Sequence, residues 1–438
     1  MLNLLRKITP KFVKKFYHYF LATFSAFWYR YPSEKLIVIG VTGTTGKSTT
    51  VFLLSKILEA AGFKVGVAST ILFKVDKKET VNDRKMTMVG RFALQQMLSD
   101  MVKANCHYAI IETTSEGIEQ FRHLGINYDV AVFTNLSPEH IEAHGGFGNY
   151  KKAKLKLFKK LADEKVKLIA GKKIPKTIVA NLDDAQAEDF LNNQADSKFG
   201  FTLTNKSTTQ TRVVRAETIV ADTAGISFTI DHIPFATKIF GQHNIYNLLA
   251  AVTVAISQGL SLERISKAII NVGTIPGRLE FISAGQKFQV IVDYAFEPKA
   301  MAALYETVKQ FRHKKIIHVL GGTGGGRDKS RRGVIGQFVG QQADVVIVTN
   351  EDPYDEDPQS IIDHVAAGAE TAGKKADKDL FKILDRRQAI QKAFSLAAAG
   401  DVVLITGKGS EQAIVTAGGK KVPWDDRQVA REELSRKQ

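Results

Sequence analysis

The sequence predicts an α/β protein, with a mostly parallel sheet built around a phosphate-binding loop and a second, smaller α/β domain after it. Three observations carry this. From Leu36 to about residue 275, short apolar runs alternate with helical patterns, as in sheets covered on both faces. The first run, Leu36–Ile39, leads through Gly40-Val-Thr-Gly-Thr-Thr-Gly-Lys-Ser48 into a helical pattern at Thr50, Leu53, Leu54, Ile57 and Leu58. A fresh alternation starts near Pro276-Gly277-Arg278.

In order, the expected strands of the first domain are Leu36–Ile39, Val65–Ser69, Tyr108–Ile111, Val130–Phe133, Leu168–Ala170 and Thr177–Ala180. Residues 199–240 read as short alternating strands (Thr211–Val214, Gly225–Ile230, Thr237–Ile239) before a helix at Asn244–Gln258. The second domain has runs at Gln289–Val292, Lys315–Leu320, Val345–Val348 and Val402–Ile405, and Lys374–Lys382 reads as a solvated, charge-rich stretch. The expected domains are residues 1–35, 36–275 and 276–438.

Composition narrows the function classes. The 438 residues are 44% apolar and 24% charged, a soluble globular balance large enough for two or three domains. The single cysteine, Cys106, excludes an internal disulfide and fits a reducing cytoplasm; before the run Tyr108–Ile111 it reads as a small core residue. A net charge of +16 calls for an anionic partner, which a nucleotide and a phosphorylated substrate satisfy. Without any nucleic-acid motif, no nucleic acid is expected.

Residues 1–35 hold seven Lys/Arg against Glu34, and half the positions from Phe12 to Tyr31 are aromatic. Phe12, Phe16, Phe20, Phe24 and Phe27 recur at helical spacing beside Lys11, Lys14, Lys15 and His18. The run is too interrupted for a spanning helix. Two readings stand: peripheral membrane contact on anionic lipid, or a helix docked by its aromatic side on the following domain.

Strand, glycine turn and helix aim backbone N–H groups and a helix N-terminus at phosphate oxygens. Gly43, Thr44, Thr45, Gly46 and Thr49 belong to that cradle. Lys47 would reach the terminal phosphates and Ser48 would ligate Mg²⁺. The strict G-x-x-x-x-G-K-[ST] pattern has Val41 at its first glycine position. Glu112 ends an apolar run, where ligands gather in open α/β sheets; capping the next helix is its plainer use. His140 and His144 follow the run Val130–Phe133. Lys154 sits in a basic helix, where a lysine is ordinarily surface charge.

Together these residues resemble the Mur ligases, and within them the tripeptide-forming UDP-N-acetylmuramoyl-L-alanyl-D-glutamate ligases, over about residues 36–435. The resemblance rests on the phosphate loop, Glu112-Thr-Thr-Ser115 with Arg122, Asp129-Val-Ala-Val-Phe-Thr-Asn-Leu136, His140-x-x-x-His144-Gly145, and Asn149-Tyr-x-x-Ala-Lys154. It continues through Asn181-Leu-Asp-Asp184, Gly241-x-His-Asn-Ile-Tyr-Asn247, Pro276-Gly-Arg-Leu-Glu280, and Val292-Asp-Tyr-Ala295. Further on come Gly326-Arg-Asp-Lys329, Glu356-Asp-Pro358, Thr406-Gly-Lys-Gly409, and Trp424-Asp-Asp-Arg-x-Val-Ala-Arg431.

The resemblance implies a central P-loop ATPase domain and a Rossmann-like C-terminal domain. It also implies an ATP- and Mg²⁺-dependent amide ligase that activates a carboxylate as an acyl phosphate for attack by an amine. Phosphoryl transfer is mainly positioning and charge neutralisation. By resemblance, Lys47, Glu112, His140 and Lys154 are catalytic. One Mg²⁺ would lie near Ser48 and Glu112, and a second on Glu112, His140 and a carbamate of Lys154, whose anionic oxygen suits a hard cation. Asn244 and Asn247 correspond to positions near the adenine, Arg278 and Asp293 to the ribose and interdomain region, and Lys329 to a phosphate-approaching loop. Thr114, Ser115 and Arg122 would contact a muropeptide-like acceptor. Glu351, Asp352, Tyr354, Gly407 and Glu411 would contact the incoming amino acid.

Departures from the family pattern bear on the substrates. Only the basic aromatic segment precedes the ATPase, where the family has a uridine-binding domain. Thr-Thr-Pro becomes Met86-Thr-Met-Val-Gly90, Asp-Tyr-Ala-His becomes Asp293-Tyr-Ala-Phe296, and Gly-Lys-Gly-His-Glu becomes Gly407-Lys-Gly-Ser-Glu411. The diaminopimelate-clamping Asp-Asn-Pro-Arg reads Glu351-Asp-Pro-Tyr354, so lysine or another diamino acid becomes an alternative, with Glu351, Asp352, Asp355 and Glu411 to take an ammonium. The leading expectation is a peptidoglycan-precursor ligase. Alternatives are the same chemistry on a lipid-linked or polyglutamate-type acceptor, or a partner-dependent nucleotide-binding subunit at the membrane.

Overall fold

The computed structural model describes residues 11–138 and 144–436. Two compact units are distinguished. The first runs to residue 220 and takes in 227–237 and 244–272; the second comprises 221–226, 238–243 and 273–438.

Among the described residues, eleven strands occur up to residue 215: β1 (Ile37–Thr42), β2 (Val65–Ala68), β3 (Leu72–Val75), β4 (Lys78–Val81), β5 (Tyr108–Glu112), β6 (Val130–Phe133), β7 (Lys167–Ile169), β8 (Lys172–Ile174), β9 (Thr177–Asn181), β10 (Ser197–Thr202) and β11 (Arg212–Arg215). Nine of them form one sheet in the order β11-β10-β9-β6-β1-β5-β2-β3-β4. Only β2-β3 and β3-β4 are antiparallel. β1 and β5 are continuous apolar runs because both sheet faces are covered. The expected strand Leu168–Ala170 is instead half of the separate β7-β8 hairpin. Its exposed Leu168 has no second layer to cover it. A three-stranded sheet follows, β12 (Glu217–Asp222), β13 (Gly225–Ile230) and β14 (Ile233–Thr237), so the last strand ends where one was expected to begin.

The helices of this part are α1 (Lys11–Trp28), α2 (Lys47–Ala60), α3 (Arg91–Lys103), α4 (Ser115–Glu119), α5 (Phe147–Asp163), α6 (Ala187–Leu191), α7 (His243–Ser257) and α8 (Leu262–Ile270). Asp129 pins the sheet's lower end. Its carboxylate accepts the Val38 N–H at 2.8 Å and pairs with Lys167 at 2.6 Å and Lys176 at 3.1 Å, all buried. Such a charge is tolerable inside only because every partner is present.

α1 packs on α3 through its small residues, with Ala22, Ser25 and Ala26 buried. A Cβ on Gly125 (φ +71°) would overlap that of Ala26, so the helix backbone comes in close there. The expectation of docking by the aromatic side is therefore corrected. Small residues permit the close approach, and most of the rings stay outside.

The second unit's sheet comprises β15 (Glu280–Phe281), β16 (Gln289–Asp293), β17 (Ile316–Leu320), β18 (Val345–Thr349), β19 (Leu380–Ile383) and β20 (Val402–Thr406), ordered β15-β16-β20-β17-β18-β19. All pairs but β15-β16 are parallel. Helices α9 (Pro298–Val308), α10 (Ser330–Gln342), α11 (Pro358–Thr371), α12 (Arg386–Leu396) and α13 (Asp426–Arg436) accompany it, with a hairpin of β21 (Ala413–Thr416) and β22 (Lys420–Pro423). The charge-rich stretch 374–382 is not wholly solvated: it enters β19, where Leu380 is buried.

Candidate active site

The phosphate loop joins β1, an interior strand, to α2. Gly46 caps the helix with φ +79°, a left-handed conformation that glycine adopts without strain. A Cβ there would also overlap the side-chain oxygen of Asn247. Asn135 braces the loop from β6: its Oδ1 accepts the Thr45 N–H at 2.9 Å, and its carbonyl accepts the Thr44 N–H at 2.9 Å. The Thr44 hydroxyl accepts the Ser137 N–H at 2.9 Å and the Tyr150 hydroxyl at 3.2 Å. Lys47 Nζ reaches back over the loop to the carbonyls of Gly43 (3.0 Å) and Thr44 (2.7 Å). Thr49 is buried in the first turn of α2.

The carboxylate of Glu112, at the carboxyl end of β5, is buried against the loop. Oε1 accepts the Ser48 hydroxyl at 2.9 Å; Oε2 accepts the N–H (2.8 Å) and hydroxyl (3.0 Å) of Thr70. The capping role goes to Thr114, whose Oγ1 accepts the Gly117 N–H at 3.1 Å. A hydroxyl beside a carboxylate is a hard-oxygen pair that fits Mg²⁺.

Lys154 is 1% exposed on the inner face of α5. Its ammonium donates to the Gly43 carbonyl at 2.7 Å and lies 4.4 Å from the centre of the Tyr150 ring. It is not surface charge. His140 lies outside the described residues. His144 Nε2 shares a 3.1 Å hydrogen bond with the Ser115 hydroxyl. Burial holds its imidazole below the ordinary pKa, against the pull of Glu119.

Arg122 leaves the segment after α4 and donates to the Met88 carbonyl and, at 2.6 Å, to Gln120 Oε1. Arg91, which the sequence did not single out, donates to the Gln120 carbonyl. Both Nε atoms are buried without a hydrogen-bond partner among the described residues. Burial lowers the pKa of both guanidinium groups, and for Arg91 the charge of Arg122 adds to it. Two guanidinium groups thus converge on one glutamine.

At the start of α7, Asn247 donates to Asn244 Oδ1 at 2.8 Å, and both are buried. Asp183 fixes this end of the helix by accepting the Tyr246 hydroxyl at 3.2 Å.

In the second unit, Arg278 stacks 4.1 Å from the Tyr294 ring centre. Asp293 accepts the N–H groups of Leu279 and Ala295, each at 2.7 Å. Lys329 pairs with Glu356 at 3.3 Å. The carboxylates expected to take an ammonium are mostly committed elsewhere. Buried Lys408 holds Asp352 at 2.9 Å and Glu411 at 2.8 Å, and Asp355 accepts the Gly418 N–H at 2.8 Å. Glu351 differs: it accepts the Thr323 hydroxyl at 2.8 Å and presses on Gly407, where a Cβ would overlap it. Burial, then Asp352, raises its pKa. Tyr354 (φ +52°) faces the guanidinium of Arg327, 5.8 Å from its ring centre. In the sequence Arg327 stands out only through the preceding run Gly324-Gly-Gly326, which lets the chain fold back toward Tyr354.

A phosphate loop inside a parallel sheet, with a carboxylate aimed at its serine and a second α/β unit following, defines a nucleotide-dependent group-transfer enzyme. Residues 41–255 match the Mur ligase middle domain, and residues 277–409 match the Mur ligase glutamate ligase domain. The UDP-N-acetylmuramyl-tripeptide synthetase of Roseiflexus sp. (strain RS-1) is 38% identical over 422 residues, covering 95% of this chain and 82% of that one. The UDP-N-acetylmuramoyl-L-alanyl-D-glutamate–2,6-diaminopimelate ligase of Geobacillus thermodenitrificans (strain NG80-2) is 36% identical, covering 92% of this chain and 80% of its own. Among solved structures, a UDP-N-acetylmuramoyl-L-alanyl-D-glutamate–2,6-diaminopimelate ligase superimposes with a TM-score of 0.60 at 28% identity, covering 92% and 79%. The MurF ligase of Thermotoga maritima in complex with ADP, 16% identical with a TM-score of 0.64 and covering 95% and 82%, shares the fold. The chain belongs to the Mur ligase family. It is an ATP-dependent, ADP-forming ligase of peptidoglycan precursor synthesis.

Proposed function

We propose that this ligase adds an amino acid, a diamino acid by preference, to a muramoyl-dipeptide-like acceptor through an acyl phosphate. The observation that carries the reading is the buried Lys154 ammonium against the Gly43 carbonyl, on the same loop whose Ser48 meets Glu112. A nucleotide site alone has no use for a desolvated lysine there.

In this reading the N–H groups at the start of α2 and the Lys47 ammonium neutralise the ATP phosphates. Ser48 and Glu112 would hold Mg²⁺, which supplies charge neutralisation at the transferring phosphoryl group. Lys154 as a carbamate, with His140 and Glu112, would hold a second ion. Thr114, Ser115 and the Arg91–Arg122 pair would hold the acceptor's anionic groups. In the second unit, Arg327 is the guanidinium for the incoming amino acid's carboxylate, and Glu351 is the carboxylate left to meet an ammonium.

The experiment is a screen of diaminopimelate, lysine and ornithine against UDP-linked and lipid-linked dipeptide acceptors, reading ADP and product mass. Amide product with a diamino acid supports the reading. ATP bound but never consumed with any pair would replace it with the nucleotide-binding-subunit alternative. A lipid-linked acceptor is the second reading, favoured by the aromatic helix α1 lying beside the Arg122 segment, where Tyr19 meets Phe121 edge-on at 6.2 Å.

A further inference from the structure

On α1, Val13, Phe16, Tyr17, Phe20, Phe24, Phe27 and Trp28 fall at spacings of three, four and seven, the repeat of a single helix face. All are exposed; Phe16 is 71%, Phe27 64% and Trp28 65% accessible. The rings meet one another along the helix: Phe20 and Phe24 stack at 5.8 Å, and Phe24 meets Trp28 at a tilt, 6.0 Å between centroids. Phe92 from α3, also exposed, extends the patch with its ring 6.1 Å from Phe24. Water is a poor solvent for so much contiguous aromatic surface.

The opposite side of the helix is already used, through Ala22, Ser25, Ala26 and the approach to Gly125. The aromatic face is therefore held at a fixed attitude on the first unit. Its sequence is bracketed by cations, with Lys11, Lys14 and Lys15 at one end and Arg30 and Lys35 at the other, against Glu34 alone. No helix among the described residues is long and apolar enough to cross a membrane.

We propose that α1 and Phe92 form an interfacial docking surface for an anionic lipid bilayer, with the rings at the acyl boundary and the flanking cations on the headgroups. The charge pattern selects this occupant. A second copy of the chain would bring the same cations against each other, whereas phosphate headgroups neutralise them. Tyr and Trp suit the boundary because each has an apolar body and a polar edge. The inference stands on the surface alone and is independent of which acceptor the ligase uses.

The test uses the full chain and phosphatidylcholine vesicles, with or without about one-third phosphatidylglycerol. Flotation with the anionic vesicles should exceed that with neutral ones by about tenfold and fall with added salt. The variant Phe20→Ser/Phe24→Ser/Phe27→Ser/Trp28→Ser should lose flotation while keeping its melting temperature and its turnover of a soluble acceptor. In a Trp424→Phe background, Trp28 emission should shift to the blue on anionic vesicles. Equal flotation of wild type and variant would overturn the proposal. So would a concentration-dependent dimer that the same substitutions dissolve, with no vesicle binding by the wild type.

Discussion

Lys154 donates to the backbone carbonyl of Gly43 at 2.7 Å, so the phosphate loop is tied to a helix that begins a hundred residues downstream. An ammonium with 1% exposure is costly unless paired or chemically altered. Lys154→Ala should lower ADP formation by about a hundredfold or more and regain part of it with added short carboxylates. Wild-type rates in the variant without additive would exclude the carbamate role.

Glu112→Gln keeps one oxygen to accept from Thr70, puts an NH2 donor opposite the Ser48 hydroxyl, which can accept it, and removes the charge. The magnesium concentration for half-maximal turnover should rise about tenfold or more, with little change in melting temperature. An unchanged magnesium dependence would free Glu112 of that role.

Gly46→Ala meets both a left-handed φ of +79° and the Asn247 oxygen. Backbone strain alone costs about 1–2 kcal/mol. ATP affinity should fall about tenfold or more; unchanged affinity would mean that neither the strain nor the overlap disturbs the loop.

In the second unit, Arg327→Ala should raise KM for the amino acid more than it lowers kcat, because the lost group binds ground and transition states alike. A pure kcat defect would place Arg327 elsewhere in the cycle.

Acid should unfold this protein through buried neutral histidines. His318 is fully buried between the Tyr305 hydroxyl (2.7 Å) and Thr406 Oγ1 (2.9 Å), and burial drives its pKa down to about 3. The unfolded chain takes up this proton near pH 6.5 and the native one does not. Stability is therefore lost as pH falls from about 6.5 toward 3, by about 1.4 kcal/mol per pH unit. Urea titrations of His318→Gln should show a shallower pH slope than wild type across that window.

Much of the frame was legible because buried parallel strands are continuous apolar runs; Tyr108–Glu112 and Val402–Thr406 are examples. β3 and β4 were missed: β4 is wholly exposed and polar but for Val81, and β3, though apolar, is only four residues long. In the site, the phosphate loop could be read because its residues are contiguous. The pairing of Arg91 with Arg122, the Lys408 bridge and the Arg327–Tyr354 contact depend on chain return, which no local pattern encodes. The aromatic stripe of α1 was visible as periodicity. Which side faced the protein was decided by Ala22, Ser25 and Ala26, whose smallness is a weak signal beside so many rings.

The fit of Asn247 against Gly46 bears on how the polypeptide matures. A nascent chain on the ribosome can bend residues 43–48 into a turn early. Its floor is complete only after position 247 has left the exit tunnel and α7 has settled. If the loop binds nucleotide as proposed, truncated products ending before α7 would lack the side chain that lies against Gly46.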